Sequence, residues 1–115
     1  MIDLIISPLI LNILNNAIDA FEDIEKDDKR VEISGNIQED KIYLSIKDNA
    51  TGIAEDNVKS LFDPYFSTKG KNGTGLGLYM SQMIIQKQFN GFIDVETSTT
   101  GVTGTTFIIK IPISL

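Results

Sequence analysis

An α+β fold, a two-layer α/β sandwich with a largely antiparallel mixed sheet packed on helices, is what this sequence predicts. Two observations carry that prediction. The hydrophobic periodicities run in the order helix, two strands, long loop, helix, two strands. The strands come in pairs joined by short turns, which favours antiparallel neighbours. The 115 residues have room for a single domain with a modest core.

Ser7-Pro8 reads as an N-cap and first helical position. Leu11, Leu14, Ile18 and Phe21 then recur at helical spacing, with Ala17 and Ala20 as small neighbours, so a helix is expected over about 8–23. Residues 22–30 form a charged connector, read as solvated and mobile. Val31, Ile33 and Ile37, then Ile42, Leu44 and Ile46, alternate with polar residues around Gln38-Glu39-Asp40. That pattern predicts a hairpin of two half-buried strands with its apolar face on the first helix.

Asp48 to Ile53 is a turn at the end of the second strand, and residues 55–62 make a short helix at best, stopped by Asp63-Pro64. Residues 63–75 hold most of the chain breakers and read as a long mobile loop, a feature that is more often functional than accidental. Leu76, Met80, Met83, Ile84 and Phe89 predict a second helix closed by Asn90-Gly91. Phe92 to Thr97 and Thr105 to Ile113 complete the strands, with Phe107, Ile109, Ile111 and Ile113 on one face.

Composition excludes several chemistries. With no cysteine there are no disulfides or thiolate sites, and with no histidine there is no imidazole base, ligand or phosphoacceptor in this chain. A net charge of −6 and a pI near 4.4 argue against a nucleic-acid surface. Hydrophobic residues make up 42% and the mean hydropathy is +0.03, values of a soluble globular chain with no run long enough to span a bilayer. The first eight residues lack a basic n-region and a cleavage site, so no signal peptide is expected.

Four stretches carry chemistry. Gly73-Thr74-Gly75-Leu76-Gly77-Leu78 opens the second helix, and its alternate glycines let backbone approach a ligand beneath unpaired helical N–H groups, a ready cradle for phosphate. A plain turn is the alternative. Asn12 and Asn16 share one helix face one turn apart, while Asn15 points elsewhere. A neutral amide oxygen there suits Mg²⁺ shared with substrate phosphates, against the alternative of simple exposure. Asp48, fixed at a strand end before Gly52, can accept from an exocyclic amine such as adenine N6 or bond its own backbone in an Asx-turn. Leu61 to Lys69 places three aromatics ahead of Lys69-Gly70-Lys71, two cations beside the glycines in an acidic chain.

Together these stretches resemble the ATP-binding catalytic domain of sensor histidine kinases, with its Bergerat-type fold, in the GHKL superfamily shared with DNA gyrase, the Hsp90 chaperones and MutL. Asn12 to Ala20 is similar to that family's N box and Asp48 to Ile53 to its first glycine box. Leu61 to Lys69 is similar to its F box and Gly73 to Leu78 to its second glycine box, all in the family's order. The resemblance implies that Asn16 coordinates Mg²⁺, that Asn12 assists it or the phosphates, and that Asp48 reads the adenine amine. It implies that Gly52 lets the base approach and that amides around Gly75 and Gly77 hold phosphates. Asp19, Ile53, Phe66, Thr68, Gly73, Thr74, Leu76 and Leu78 join the nucleotide site by the same motifs, with Lys69 and Lys71 as lid residues.

Position 12 separates reaction classes under this resemblance. The clamp-type ATPases and the related serine kinases place a glutamate there as general base; Asn12 has no useful basicity. A neutral imidazole is already nucleophilic, so transfer to histidine is favoured, by positioning and charge neutralisation. Two departures are apparent: Ala50 replaces the first glycine of Asp-x-Gly-x-Gly, and the chain starts just before the N box without the strand expected upstream. Ala50 keeps open a nucleotide-binding module without turnover. The resemblance also implies an excised portion of a longer kinase, cytoplasmic even where the sensor is membrane-bound. Its partners would be the histidine-bearing dimerisation hairpin and a downstream response regulator, with no nucleic acid and no membrane contact of its own.

Overall fold

A computed structural model describes residues 2–22, 24–64 and 77–113, with side chains of the first helix described from Pro8 onward. The elements run α1 (Ile2–Asp19), β1 (Val31–Gln38), β2 (Lys41–Asp48), α2 (Glu55–Val58), α3 (Gly77–Phe89), β3 (Phe92–Ser98) and β4 (Gly104–Pro112). The four strands form one sheet in the order β1-β2-β4-β3, and every described pairing is antiparallel. Helix α1 packs on β2 and α3, and α3 packs on β3 and β4. The α+β sandwich is therefore the fold found.

α1 differs from the expected helix at both ends and in its face. It begins at Ile2, so Pro8 lies inside it and Ser7 is no cap. Proline's fixed φ is helical, but inside a helix it removes one backbone hydrogen bond and crowds the carbonyl four residues earlier, at a cost of about 3 kcal/mol, so the start at Ile2 runs against the local preference. Leu9, Ile13, Ala17 and Phe21 form the buried stripe, while Leu11 (55% exposed) and Ile18 (54%) face outward. This helix is apolar round much of its circumference, so spacing alone leaves its rotation undetermined. The second stripe serves better because Ala17 permits close packing and Asn12 turns toward α3.

The hairpin forms in the expected register, Ile33 opposite Ile46 and Ile37 opposite Ile42, with Glu39 and Asp40 at φ of 51° and 65° in its turn. β1 is nevertheless an exposed edge: Ile33 is 53% and Ile37 67% exposed. Alternation fixes which face a side chain occupies, whereas cover depends on where the helices lie. Burial deepens inward, with Ile46, Phe107, Ile109 and Ile93 joining Leu9, Ile13, Leu61 and Ile85 in one core. On α3 the buried positions are Ser81 and Ile85, with Met80 largely exposed. At the opposite edge Gln82 Oε1 of α3 accepts the Ile93 N–H near the start of β3 at 3.0 Å.

Candidate nucleotide site

The site gathers where β2 ends and the chain turns back toward α1. Asp48 is the last residue of β2 and only 3% exposed. Its Oδ1 accepts two backbone N–H groups, from Ala50 at 3.0 Å and from Thr105 at 3.2 Å. The Ala50 bond is the Asx-type bond two residues on, so the local alternative is present and uses one oxygen. Among the described residues Oδ2 receives no hydrogen bond, and no sealed side-chain oxygen or nitrogen lacks a partner. Burial pushes the Asp48 carboxyl above its ordinary range, while the two backbone donors act against that rise.

Gly52 holds the turn at φ +84°, and a Cβ there would sit 2.1 Å from the Ser98 carbonyl oxygen. Backbone contact with β3 thus explains this glycine without reference to a ligand. Ile53, half-buried, donates its N–H to Thr97 Oγ1 at 2.9 Å. Ala50 is buried and is not among the residues with positive φ, so the methyl group fits an ordinary backbone conformation. Its carbonyl accepts from Thr103 Oγ1 at 2.6 Å. The connector is less free than its composition suggests. Asn49 Nδ2 donates to the Asp28 carbonyl at 2.6 Å, and Asn49 Oδ1 accepts the Arg30 N–H at 2.8 Å.

The asparagines stand on α1 as their spacing predicts: Asn12 and Asn16 are half-buried and Asn15 is exposed. Asn12 Nδ2 lies 3.5 Å from Oγ of the fully buried Ser81, which ties this face to the first turns of α3. Asp19, also half-buried, closes α1. Gly77 starts α3, and Leu78 packs against the core. The remaining predicted positions, Phe66, Thr68, Lys69, Lys71, Gly73, Thr74, Gly75 and Leu76, lie outside the described residues. Among the described residues no cluster of three acidic, histidine or cysteine side chains could hold a metal. A divalent cation here would be shared between a neutral amide and ligand oxygens, which is the chemistry Mg²⁺ accepts.

Sequence reasoning missed Thr97, Gly104 and Thr105. Thr105 is 4% exposed and its Oγ1 lies 2.8 Å from Thr97 Oγ1. Gly104 has φ +149°, and a Cβ there would come within 2.3 Å of the Asp48 carbonyl oxygen. The available signal was Gly104-Thr105-Thr106-Phe107, a glycine and threonines running directly into an alternating strand, which reads locally as a turn. A cleft of about 460 Å³ is lined by Ile53, Glu55, Val58, Lys59, Thr97 and Thr99.

The sequence pattern of the histidine kinase-, DNA gyrase B- and HSP90-like ATPases matches residues 3–115. The sensor protein SrrB of Staphylococcus aureus is 39% identical over 105 residues, a match that spans 87% of this chain and 18% of SrrB. The catalytic domain of histidine kinase ThkA, in a nucleotide-free form, superposes with a TM-score of 0.77 at 30% identity, over 94% of this chain and 66% of that domain. ThkA in complex with the response regulator protein TrrA gives 0.72 at 25% identity, over 95% of this chain and 28% of ThkA. With the pattern matched from end to end and the fold shared, this chain belongs to the histidine kinase-, DNA gyrase B- and HSP90-like ATPase family, as a histidine-kinase ATPase domain.

Proposed function

We propose that this domain binds Mg-ATP and transfers the γ-phosphoryl group to a histidine on a separate helical hairpin of its parent sensor kinase. The observation that carries the reading is Asp48, a buried carboxylate whose Oδ1 is held by two backbone amides and whose Oδ2 receives no hydrogen bond among the described residues. Such a group accepts from an adenine amine without having to reorganise. Asn16 would hold Mg²⁺ together with phosphate oxygens, and Asn12, anchored toward Ser81, would steady the same face. The metal, when bound, would neutralise charge on the transferring phosphoryl group. Asp19, Gly52, Ile53, Phe66, Thr68 and Gly73 to Leu78 would complete the nucleotide site, with Lys69 and Lys71 as lid residues.

Asn12 offers no base, and a neutral imidazole needs none, so the domain's share of catalysis is positioning. ThkA binding a response regulator supports a like partner downstream of the phosphohistidine. Among the described residues no helix is long and apolar enough to cross a membrane, which suits a cytoplasmic catalytic portion. The test supplies γ-labelled ATP and the parent hairpin to this chain. Acid-labile, base-stable label is expected on the hairpin and none on this chain, which has no histidine. Label on a hairpin whose histidine is replaced by glutamine, or on this chain alone, overturns transfer to histidine.

A further inference from the structure

Asp48 on β2, Thr105 on β4 and Thr97 on β3 stand opposite one another across three strands, a polar row at one end of the buried sheet face. Thr97 Oγ1 has three neighbours: the Ile53 N–H at 2.9 Å, the Gly104 carbonyl at 3.0 Å and Thr105 Oγ1 at 2.8 Å. A hydroxyl carries one hydrogen and two lone pairs. The Gly104 carbonyl can only accept, so it takes the Thr97 hydrogen. The Ile53 N–H can only donate, so it occupies one lone pair. One lone pair remains, and Thr105 reaches Thr97 only by donating its own hydrogen to it. Thr105 is then left with lone pairs alone.

We infer that Thr97 is a positioning residue that holds the Thr105 hydroxyl as an acceptor, so the row beside Asp48 accepts hydrogen bonds and offers none. The inference rests on the proposed role of Asp48 toward adenine. An acceptor-only row favours a 6-amino purine, whose amine donates, and disfavours a 6-oxo purine, whose carbonyl would face lone pairs. Thr97 thereby sharpens base selection without touching the ligand.

The test compares ATP with ITP, which differ at C6 (amine against carbonyl) and at N1 (bare acceptor against N–H donor), by calorimetry on the unmodified chain, Thr97→Val and Thr97→Ser. Each variant is read against the unmodified chain, so that the constant N1 difference cancels. In Thr97→Val the Thr105 hydrogen is released and can turn toward a 6-oxo group. The ATP-to-ITP affinity ratio is expected to fall about tenfold, the worth of one buried hydrogen bond. Thr97→Ser should restore it. Equal weakening of both nucleotides, or an unchanged ratio in a folded Thr97→Val, overturns the proposal. If that variant does not fold, proton NMR of the unmodified chain decides. The Thr105 hydroxyl proton should lie against Thr97 and the Thr97 proton against Gly104. A Thr97 proton lying against Thr105 overturns the assignment. An unmodified chain that binds neither nucleotide would sink the proposed function, while the hydroxyl assignment would still be decided by NMR.

Discussion

Asp48 concentrates two opposing demands in one residue. Its carboxyl is raised above the ordinary range, foremost by burial, so it binds a proton more tightly in the folded state than in the unfolded chain. Its contribution to stability is thus fully present in acid, below the unfolded value, and is lost as the pH rises through the raised folded value. At neutral pH the ionised group is a cost to folding that the proposed function would use. Asp48→Asn keeps an acceptor for Ala50 and Thr105 and removes the charge. We expect stability at pH 7 to hold or rise, and its acid-range pH dependence to flatten, in thermal melts from acid to neutral pH. ATP affinity should fall by about 1.5–3 kcal/mol, roughly ten- to hundredfold, for the loss of a bond to a charged group. A neighbouring pair tests the turn. Gly52→Ala places a methyl group against the Ser98 carbonyl at positive φ and should cost more than about 1 kcal/mol in chemical denaturation. Ala50→Gly should leave nucleotide affinity unchanged and cost about 0.4–1 kcal/mol through added chain entropy, since Ala50 needs no left-handed conformation.

The secondary elements show how pattern and cover diverge. Both strands of the hairpin alternate alike, yet β2 is covered by α1 while β1 leaves Ile33 and Ile37 more than half exposed at the sheet edge. Edges of this kind template association between chains. Ile33→Thr with Ile37→Lys should change stability by less than about 0.5 kcal/mol, as for other exposed sites. It should also reduce any concentration-dependent association seen in sedimentation. A loss of several kcal/mol would show that these side chains are buried in solution. On α1 the proposed asparagine face was legible because Asn12, Asn15 and Asn16 differ in exposure as a 3.6-residue period requires. The buried hydrophobic stripe was not legible, because two apolar stripes compete on one helix.

At the scale of the whole molecule, nucleotide binding and folding are linked. At free Mg-ATP of 100 times Kd, the folded state should gain about 2.7 kcal/mol, read as a higher Tm, and Asp48→Asn should need roughly ten- to hundredfold more nucleotide for the same rise. A Tm that ignores Mg-ATP would count against the site. What the sequence alone determined here is local: the order of elements, the asparagine face, the carboxylate at the end of β2 and the four motifs that place the chain in its family. These depend on neighbours within a turn or two, or on residue types that chemistry demands at fixed spacing. Only the tertiary structure decided which stripe of α1 is buried, that β1 is a bare edge, and that Gly52 answers to Ser98. It alone brought Thr105 onto Asp48 and Thr97, from a third strand, onto Thr105. Those outcomes depend on strand order and on where the helices come to rest. Backbone amides and hydroxyls of ordinary turn residues acquire a role only when residues some fifty positions apart are made neighbours by the sheet.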